Sequence, residues 1–531
     1  MKRERLFRIL GLVEEDLIEE ADTASSPAAV QRRRLGRFAA AAACVTLVCG
    51  VAFSWFVTGG FQGFGAAQAP MESSSASGIA HDVEPLSAEG TTFMSYAGPV
   101  FPLALLDEAD GITVQRTITW DFAGDTHEDG TPRQWGAQVS DAYMLTNSTT
   151  GDIVAMASYP YAGDLSGLSA EMPQLTADGE TVSATVSAGA YAGGFTDANM
   201  PEGSSWNLSY PDSWTDYQTL LEDGTYRAGA YGEAPALDLP VITYEFTDFE
   251  APHSEYDAAT QAISFTVDDD TTILTYGFNG SSWDEESGWR QYSYFVPNGV
   301  RRDTEPKLLV ILGGDIDSYT LQGYQDGGCD AGEEIDGVSC TVTRRETTLA
   351  NVLDRLCQAY IEDSAFLLAQ DQQASLQQME LRLFRDAAAD LIVRYGPLAG
   401  DNAADRYSDG RLDELIMESL TVPRVLYLTF EITVPAESSV ALEAELYKAP
   451  SFDYGCSGSE NRDLQGYDLV TQLGSDLKFT GQAAALANTE GIEVVNQNMG
   501  FDLENGVDTV ELSPDTPHYY LEIRPIRLGG E

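Results

Sequence analysis

The serines and carboxylates of the chain do not form a recognised catalytic motif. A serine nucleophile on a strand-to-helix turn has the pattern G-x-S-x-G, and in the nearest segment, Gly163–Gly167 (GDLSG), the serine stands one position too late. Glycoside hydrolysis needs two carboxylates at a set distance in space, and the 84 aspartates and glutamates offer no pair that the sequence singles out. We therefore predict no catalytic residue and no enzyme activity, with a surface hydrolase acting on glycan or peptide as an alternative.

The acidic turns are candidates for weak calcium binding. Segment Asp405–Gly410 resembles the start of a calcium loop, but Tyr407 stands where a ligand is needed and the closing glutamate is missing. The clusters Asp268–Asp270 and Asp326–Asp336 are interpreted as solvated turns. The four histidines are scattered and no C-x-x-C pair occurs, which disfavours a zinc site. We predict no metal and no cofactor.

Four cysteines lie well beyond the N-terminal apolar stretch and are candidates for disulfides: Cys329, Cys340, Cys357 and Cys456. Four cysteines allow three pairings, and we favour Cys329 with Cys340 because only a short acidic loop separates them. The other two, Cys44 and Cys49, lie within the apolar stretch and are interpreted as small apolar residues.

Four tryptophans have the surroundings of a surface ligand site. Trp206, Trp214, Trp283 and Trp289 stand among Gly, Ser, Asp and Asn residues, and an exposed indole can stack on a sugar ring. Trp120 alternates with apolar residues and is predicted to lie in the core. Aromatic residues are also common fillers of β cores, which is the alternative for all of them. A carbohydrate-binding surface module is thus a second alternative function.

One stretch, residues 38–58, is long and apolar enough to be a transmembrane helix. Its twenty-one residues carry no charge, and a bilayer core of about 30 Å requires roughly 20 apolar residues. Four arginines between positions 32 and 37 precede it, and basic residues mark the cytoplasmic side. We predict a single-pass protein of the cell membrane, with a cytoplasmic segment 1–37 and an extracellular C-terminal ectodomain.

The cytoplasmic segment contains a short amphipathic helix over residues 5–21. Its apolar residues recur at helical spacing and are Leu6, Ile9, Leu10, Val13 and Leu17. This apolar stripe either docks on a cytosolic protein partner or belongs to a loosely structured tail. The acidic second half of the helix argues against binding to the anionic inner leaflet.

The formal net charge of −55 at pH 7 limits the partners of the protein. Such an excess of carboxylates repels nucleic acid and anionic lipid. We therefore predict no nucleic-acid partner. The membrane is contacted through the single span, and an extracellular glycan or protein is the expected ligand.

Alternation of apolar and polar residues predicts a mainly β ectodomain, an antiparallel β-sandwich-like fold with an inserted helical segment. It follows a flexible stalk at 59–89, which is rich in Gly, Ala and Ser. We divide it into a β-rich part at 90–305 and an α+β part at 306–531, with helices at about 347–420.

Two pairs of alternating segments are predicted to be β-hairpins because polar turn residues join them. One pair flanks the turn Ser148–Asp152, and the other flanks the turn Pro435–Ser439. In an earlier strand, Arg116 is the one residue that interrupts the apolar positions. Helical spacing begins at Leu349, with Thr347 and Thr348 as candidate caps.

Five segments carry a resemblance to known proteins: LVEEDLIEEA at Leu12–Ala21, SDAYMLTN at Ser140–Asn147, LQGYQDGGC at Leu321–Cys329, VLYLTFEIT at Val425–Thr433 and HYYLEI at His518–Ile523. In these segments the chain resembles a family of uncharacterised single-pass membrane proteins of Firmicutes, chiefly gut Clostridia. Its N-terminus is also similar to membrane-anchored anti-sigma-like regulators, but lacks the His/Cys zinc pattern of many anti-sigma domains. The anti-sigma-like similarity implies a regulatory role. We predict a cell-surface protein whose extracellular domain binds or senses a ligand and whose cytosolic helix carries any signal inward.

Overall fold

A computed structural model describes residues 95–526, apart from positions 97, 108–109, 125–135, 192–229, 233, 253–257, 269, 285, 298–305, 364–378, 401–402, 404–406, 454–462 and 473. The predicted cytoplasmic helix, transmembrane helix and stalk lie outside these residues. Among the residues described, no helix is both long and apolar enough to cross a membrane. All of them belong to one compact unit, Pro85–Glu531.

The described chain folds mainly into β-strands, which confirms the predicted class. In chain order they are β1 Ser95–Tyr96, β2 Ala104–Leu105, β3 Ile112–Asp121, β4 Ala137–Asn147, β5 Ile153–Gly163, β6 Gln174–Ala177, β7 Glu180–Thr181, β8 Thr185–Tyr191, β9 Pro240–Glu250, β10 Ala258–Thr266, β11 Thr272–Tyr276, β12 Gly280–Asp284, β13 Trp289–Pro297, β14 Lys307–Leu312, β15 Tyr319–Tyr324, β16 Glu334–Ile335, β17 Ser339–Thr348, β18 Arg424–Val434, β19 Ser438–Lys448, β20 Phe452–Asp453, β21 Gln465–Val470, β22 Lys478–Ala487, β23 Ile492–Gln497, β24 Thr509–Leu512 and β25 His518–Pro525. The helices are α1 Leu168–Glu171, α2 Leu349–Asp363, α3 Leu381–Asp390, continued by a π-helical turn over Leu391–Tyr395, and α4 Leu412–Thr421.

The strands form mostly antiparallel sheets. Sheet I has the order β24-β22-β3-β4-β19-β6-β7, sheet III the order β11-β14-β9-β17, and sheet IV the order β12-β13-β10-β15-β16. Sheet II joins β2-β5-β18-β8 to β1-β20-β21-β25-β23, because Val100 bridges Tyr161 of β5 and Leu469 of β21. Every sheet contains strands from both sides of residue 305, so the predicted division at that position separates no sheet from another.

Sheets I and II face each other across the main core. Val114 and Leu145 from sheet I, and Tyr159 and Leu428 from sheet II, are at most 1% exposed. Each such side chain contributes about 1.5–3 kcal/mol when it leaves water. Trp120 is fully buried in the adjoining cluster, which confirms its predicted place in the core.

Sheets III and IV form a second, inserted sandwich over residues 240–348. Its core contains Phe246 from sheet III and Ile263 and Tyr294 from sheet IV. On the other side of sheet III, Leu308 packs with the main core and with the helices. One side of the inserted sandwich is therefore covered by protein, and the outer side of sheet IV is the opposite surface.

The helical segment follows the inserted sandwich in sequence and precedes β18. Its helix α3 contacts sheet II. Helix α2 begins as predicted, with Thr348 Oγ1 accepting the N–H of Asn351 at 3.4 Å. Arg424, on β18, is 1% exposed, and its Nη1 lies 3.0 Å from Asp390 Oδ2 on α3. Arg424 also donates to the carbonyl of Ala387 at 3.2 Å, so the strand holds the C-terminal end of α3.

Both predicted hairpins are wrong, because their strands belong to different sheets. β4 pairs within sheet I and β5 within sheet II, and β19 and β18 are divided in the same way. The two turns are crossings between the sheets and lie side by side: Glu437 N donates to Thr149 O at 3.0 Å, and Ala436 N donates to Asp152 Oδ1 at 2.9 Å. Polar residues suit a crossing as well as a hairpin, since both run through solvent.

Candidate ligand-binding face

Arg116 interrupts the apolar positions of β3 because it is a buried cation with a buried partner. Its Nε lies 2.8 Å from Asp141 Oδ1, and its Nη2 lies 2.9 Å from Asp141 Oδ2. It also donates to the carbonyls of Val470 and Phe101, and the Tyr143 hydroxyl donates to Asp141 at 2.6 Å. Burial raises the pKa of Tyr143 well above its usual value. The network is sealed in the core and joins sheet I to sheet II, so we interpret it as structural.

Lys448 is another buried cation, at the end of β19. It is 4% exposed, and its Nζ donates to the carbonyl of Ala449 at 2.9 Å. Burial lowers the pKa of Lys448 to about 8, against the opposing effect of the carboxylates of Asp468 and Glu171. The shifted pKa is a consequence of burial, and this site too belongs to the interior.

The Gly163–Gly167 segment is a capped turn. The Asp164 carboxylate accepts the N–H of Gly167 at 2.9 Å and the Ser166 hydroxyl at 2.6 Å. Ser166 is buried, and burial raises the pKa of Asp164. The serine hydroxyl is therefore bonded to Asp164, the N-cap of the short 3-10 turn Leu165–Gly167 that follows β5.

The outer face of sheet IV combines aromatic and polar side chains. Residues paired across β10, β13 and β15 share a face of the sheet, and one set points away from the core of the inserted sandwich. These residues are Thr260, Ala262, Ser264, Thr266, Trp289, Gln291, Ser293, Phe295, Thr320, Gln322 and Tyr324. We call these eleven residues the uncharged face.

None of the eleven carries a charge, although 21% of the chain is Asp, Glu, Lys or Arg. Four of the eleven, Thr260, Ala262, Ser293 and Tyr324, are at most 9% exposed, so a charged side chain would be expected only among the other seven. Carboxylates flank the face instead. Asp284 on β12 pairs with Trp289, Glu334 on β16 pairs with Tyr324, and both acids are exposed. The face is thus an uncharged strip between acidic edges.

Gln291 lies near the centre of the uncharged face. Its Nε2 donates to Ser264 Oγ at 3.0 Å, and its side chain also hydrogen-bonds the hydroxyl of Tyr324. Trp289 and Phe295 lie on the same strand six residues apart, which places them about 20 Å from each other. Trp289 is half-buried, and Phe295 is 44% exposed. Two rings therefore bracket a polar centre.

The loop after β15 lies over one end of the face. Cys329 hydrogen-bonds Ser293, and a Cβ added at Gly327 would lie 3.4 Å from the Phe295 ring. Thr260, which is paired with Phe295, is 1% exposed, and its Oγ1 has no hydrogen-bond partner in the part of the chain that is described. An unpaired buried hydroxyl costs about 1–3 kcal/mol, and this one lies beneath the surface of the face.

The structure separates the predicted tryptophans. Trp289 belongs to the uncharged face, whereas Trp283 on the edge strand pairs with Arg290 and points to the other side, where it is 59% exposed. The two indoles therefore do not form one platform. Trp206 and Trp214 lie outside the described residues, and their role stays a prediction.

Sequence reasoning did not identify Gln291 or Ser264 as site residues. Neither belongs to a motif, and Gln and Ser are ordinary surface residues. The signal that could have found them is a series of uncharged residues at the polar positions of successive strands, in a chain where most such positions are charged. That signal becomes visible only when β10, β13 and β15 are known to be neighbours in one sheet.

The favoured cysteine pair lies on two sides of sheet IV. Cys329 bonds Ser293 on the uncharged face, whereas Cys340 Sγ lies 3.6 Å from the Tyr294 hydroxyl in the core. Neighbouring residues of a strand point to opposite faces, so the sheet stands between the two thiols. The free cysteines are Cys329, Cys340 and Cys357, and Cys456 lies outside the described residues.

The acidic loop after β15 carries a concentration of negative charge. The nearby charges of Asp326 and Asp330 raise the pKa of Glu333, and Asp326 Oδ1 accepts the N–H of Gly328 at 2.8 Å. Within the described ranges, no group of three or more His, Cys, Asp or Glu side chains is placed to hold a metal ion. The loop therefore places negative charge beside the uncharged face.

Comparison with known proteins adds no assignment. The chain matches no family model and no curated protein.

Proposed function

We propose that this is a membrane-anchored cell-surface protein that binds an extracellular ligand through the uncharged face and performs no catalysis. In this proposal, residues 38–58 anchor the chain and the β-rich part lies outside the cell. The observation that carries it is the uncharged face itself, with the half-buried ring of Trp289 at one end, the exposed ring of Phe295 at the other and the amide of Gln291 between them.

An uncharged, partly aromatic surface needs a reason in so acidic a protein. Solvent-facing positions of antiparallel sheets are ordinarily polar or charged, and carboxylates keep such a chain soluble. The exposed ring of Phe295 and the open part of the half-buried Trp289 ring are in contact with water, an unfavourable state that a bound ligand relieves. This favours a binding surface over a merely solvated one.

The titratable groups favour binding over hydrolysis. Catalytic sites bring shifted pKa values together with an accessible cleft, but Tyr143 and Lys448 are shifted because they are buried in the interior. On the uncharged face, burial raises the pKa of Tyr324 and of the Cys329 thiol near it. Both groups therefore stay protonated at neutral pH, which makes them poor nucleophiles.

The test displays the full chain on a bacterial host and measures retention of fluorescently labelled cell-envelope material by flow cytometry. Gln291→Glu places a charge at the centre of the face with almost no change in shape, and we expect retention to fall about tenfold. Trp283→Ala removes an exposed indole from the other side of the sheet and serves as the matched control. Equal retention by the wild type and Gln291→Glu would refute binding through this face.

The cytosolic helix adds a signalling version of the proposal. Deleting residues 1–21 removes the apolar stripe that runs from Leu6 to Leu17 and leaves the anchor in place. We expect surface display to persist and any ligand-dependent transcriptional response to disappear. If display and response both survive the deletion, the helix carries no signal and the signalling version of the proposal is wrong.

A further inference from the structure

We infer that the outer side of sheet I docks on the same side of a second copy of this chain, so that the protein forms a two-fold symmetric dimer. This surface lies on a different sheet from the uncharged face, and its partner does not depend on the ligand proposed above.

The outer side of sheet I is turned away from the core. Val114 and Leu145 point into the main core, so their neighbours along β3 and β4 point outward. Of these neighbours, Gln115 and Thr117 are exposed, and Met144 is 42% exposed. The same side continues onto β22 and β19, which flank β3 and β4 in the sheet. We call the outward-pointing positions of these four strands the outer face.

The outer face is large enough for a stable dimer. Strands lie about 4.8 Å apart and rise about 3.4 Å per residue, so four strands and the nine residues Thr113–Asp121 cover about 19 by 30 Å, or about 600 Å². Two copies in contact would then bury about 1,200 Å², which is within the range of specific protein interfaces. The neighbouring strands β24 and β6 add to this area.

The middle of the outer face avoids the repulsion that two copies of so acidic a chain would otherwise suffer. Each copy carries a formal charge of −55, and like charges on facing surfaces oppose association. Among the described outward positions of β3 and β4, the one charged residue is Asp121, at the end of β3. Its carboxylate accepts the side-chain amide of Asn488 at 2.7 Å and the N–H of Ala123 at 2.8 Å.

The register of the strands makes the outer face complementary to itself. One row of paired residues runs Ala483, Thr117, Ala142 and Glu443 across the four strands. A two-fold axis parallel to the strands, between β3 and β4, places Thr117 of one copy on Ala142 of the other and Glu443 on Ala483. The short alanine leaves room for the longer glutamate, so this carboxylate meets no carboxylate of the other copy. A two-fold dimer requires such a self-complementary surface.

The next row repeats the arrangement. It runs Ala485, Thr119, Ser140 and Glu445, and the same axis places Glu445 of one copy over Ala485 of the other. The strands of the two copies then run in nearly the same direction, which agrees with the angle of about 30° at which aligned sheets pack face to face.

Other occupants fit the outer face less well. Sugar rings stack on aromatic side chains, and the one aromatic residue among the described outward positions, Tyr447, lies near the end of β19. A basic partner is attracted to carboxylates, which lie on β19 and at the end of β3 and not in the middle. We therefore commit to a second copy of this chain.

The first experiment measures the mass of the full chain, purified in detergent, by light scattering over a dilution series. We expect the wild type to be a dimer that dissociates on dilution. Thr117→Glu places a carboxylate near the axis and should raise the Kd for dissociation at least about tenfold. Thr341→Glu makes the same change at an exposed position of β17 in sheet III and should change the Kd by less than about twofold.

The second experiment tests the register with two differently tagged full chains. Ala142→Lys alone should also weaken the dimer, because its long side chain disturbs the close contact. When the Ala142→Lys chain is mixed with the Thr117→Glu chain, the new ammonium and carboxylate groups face each other across the axis. We expect the mixture to co-purify at least about fivefold better than either variant with its own kind. Restored pairing would also show that both variants fold.

Three results would overturn the inference. They are a wild type that is monomeric throughout the micromolar range, a Thr117→Glu chain that dimerises as the wild type does, and a mixture that pairs no better than the separate variants.

Discussion

Lys448 allows a direct test of how a buried charge affects the stability of the fold, because its ammonium group lies in the interior. The residue is 4% exposed, and Nζ is bonded to the carbonyl of Ala449. Replacement by methionine keeps an unbranched side chain that is shorter by the terminal nitrogen, and it removes the charge. We expect Lys448→Met to abolish a pH dependence of stability that the wild type shows between pH 8 and 10.5.

The sign and size follow from the two pKa values. Burial lowers the pKa of Lys448 from 10.5 to about 8 in the folded chain. Between these values the unfolded chain binds more protons than the folded chain, so the free energy of unfolding rises with pH. The shift penalises the wild type by about 3 kcal/mol at pH 7 and by about 1.4 kcal/mol at pH 9.5. The stability advantage of Lys448→Met should therefore shrink by about 2 kcal/mol over that interval.

The assay is urea unfolding of the full chain at pH 7 and at pH 9.5, monitored by tryptophan fluorescence. The difference between the two proteins is diagnostic, because other titrating groups act equally in both. Lys478→Met is the control, since Lys478 is exposed at the start of β22 and its loss should change stability by less than about 0.5 kcal/mol. An advantage of Lys448→Met that stays constant with pH would refute the account of a buried charge.

Three further predictions test the core, the turn before the uncharged face and the cysteines. Asp141→Asn leaves Arg116 buried without its counterion, so unfolding should become easier by about 3–5 kcal/mol, and a loss below about 1 kcal/mol in urea unfolding would contradict this. Gly288 has φ +66°, and an added Cβ would lie 2.2 Å from the carbonyl oxygen of Val267. Gly288→Ala should therefore lower the free energy of unfolding by at least about 1–2 kcal/mol and weaken ligand binding. Unchanged urea unfolding and unchanged ligand binding would show that the turn relaxes freely. A non-reducing peptide map should show no Cys329–Cys340 disulfide, because sheet IV separates the thiols, and recovery of that cross-linked peptide would mean that the loop after β15 can leave the sheet.

The sequence by itself determined the local structure of the described chain. Periods of two and of 3.6 residues are set by backbone geometry within one segment, so the mainly β class, the start of helix α2 after Thr348 and the burial of Trp120 could all be predicted. The same alternation marked Arg116 as an exception. It did not indicate that the exception is a buried ion pair, because Asp141 lies on another strand.

Only the tertiary structure decided which strands meet. Strand pairing is non-local, since a strand pairs with the partner whose apolar face closes the same core. The turns at Ser148–Asp152 and Pro435–Ser439 have the composition of hairpin turns, but they cross between sheets I and II. The uncharged face arises in the same way, from β10, β13 and β15, which are neighbours in the sheet although other strands lie between them in the sequence. Register then places Trp289 on that face and Trp283 on the other, because neighbouring positions along paired strands alternate between the two sides of a sheet.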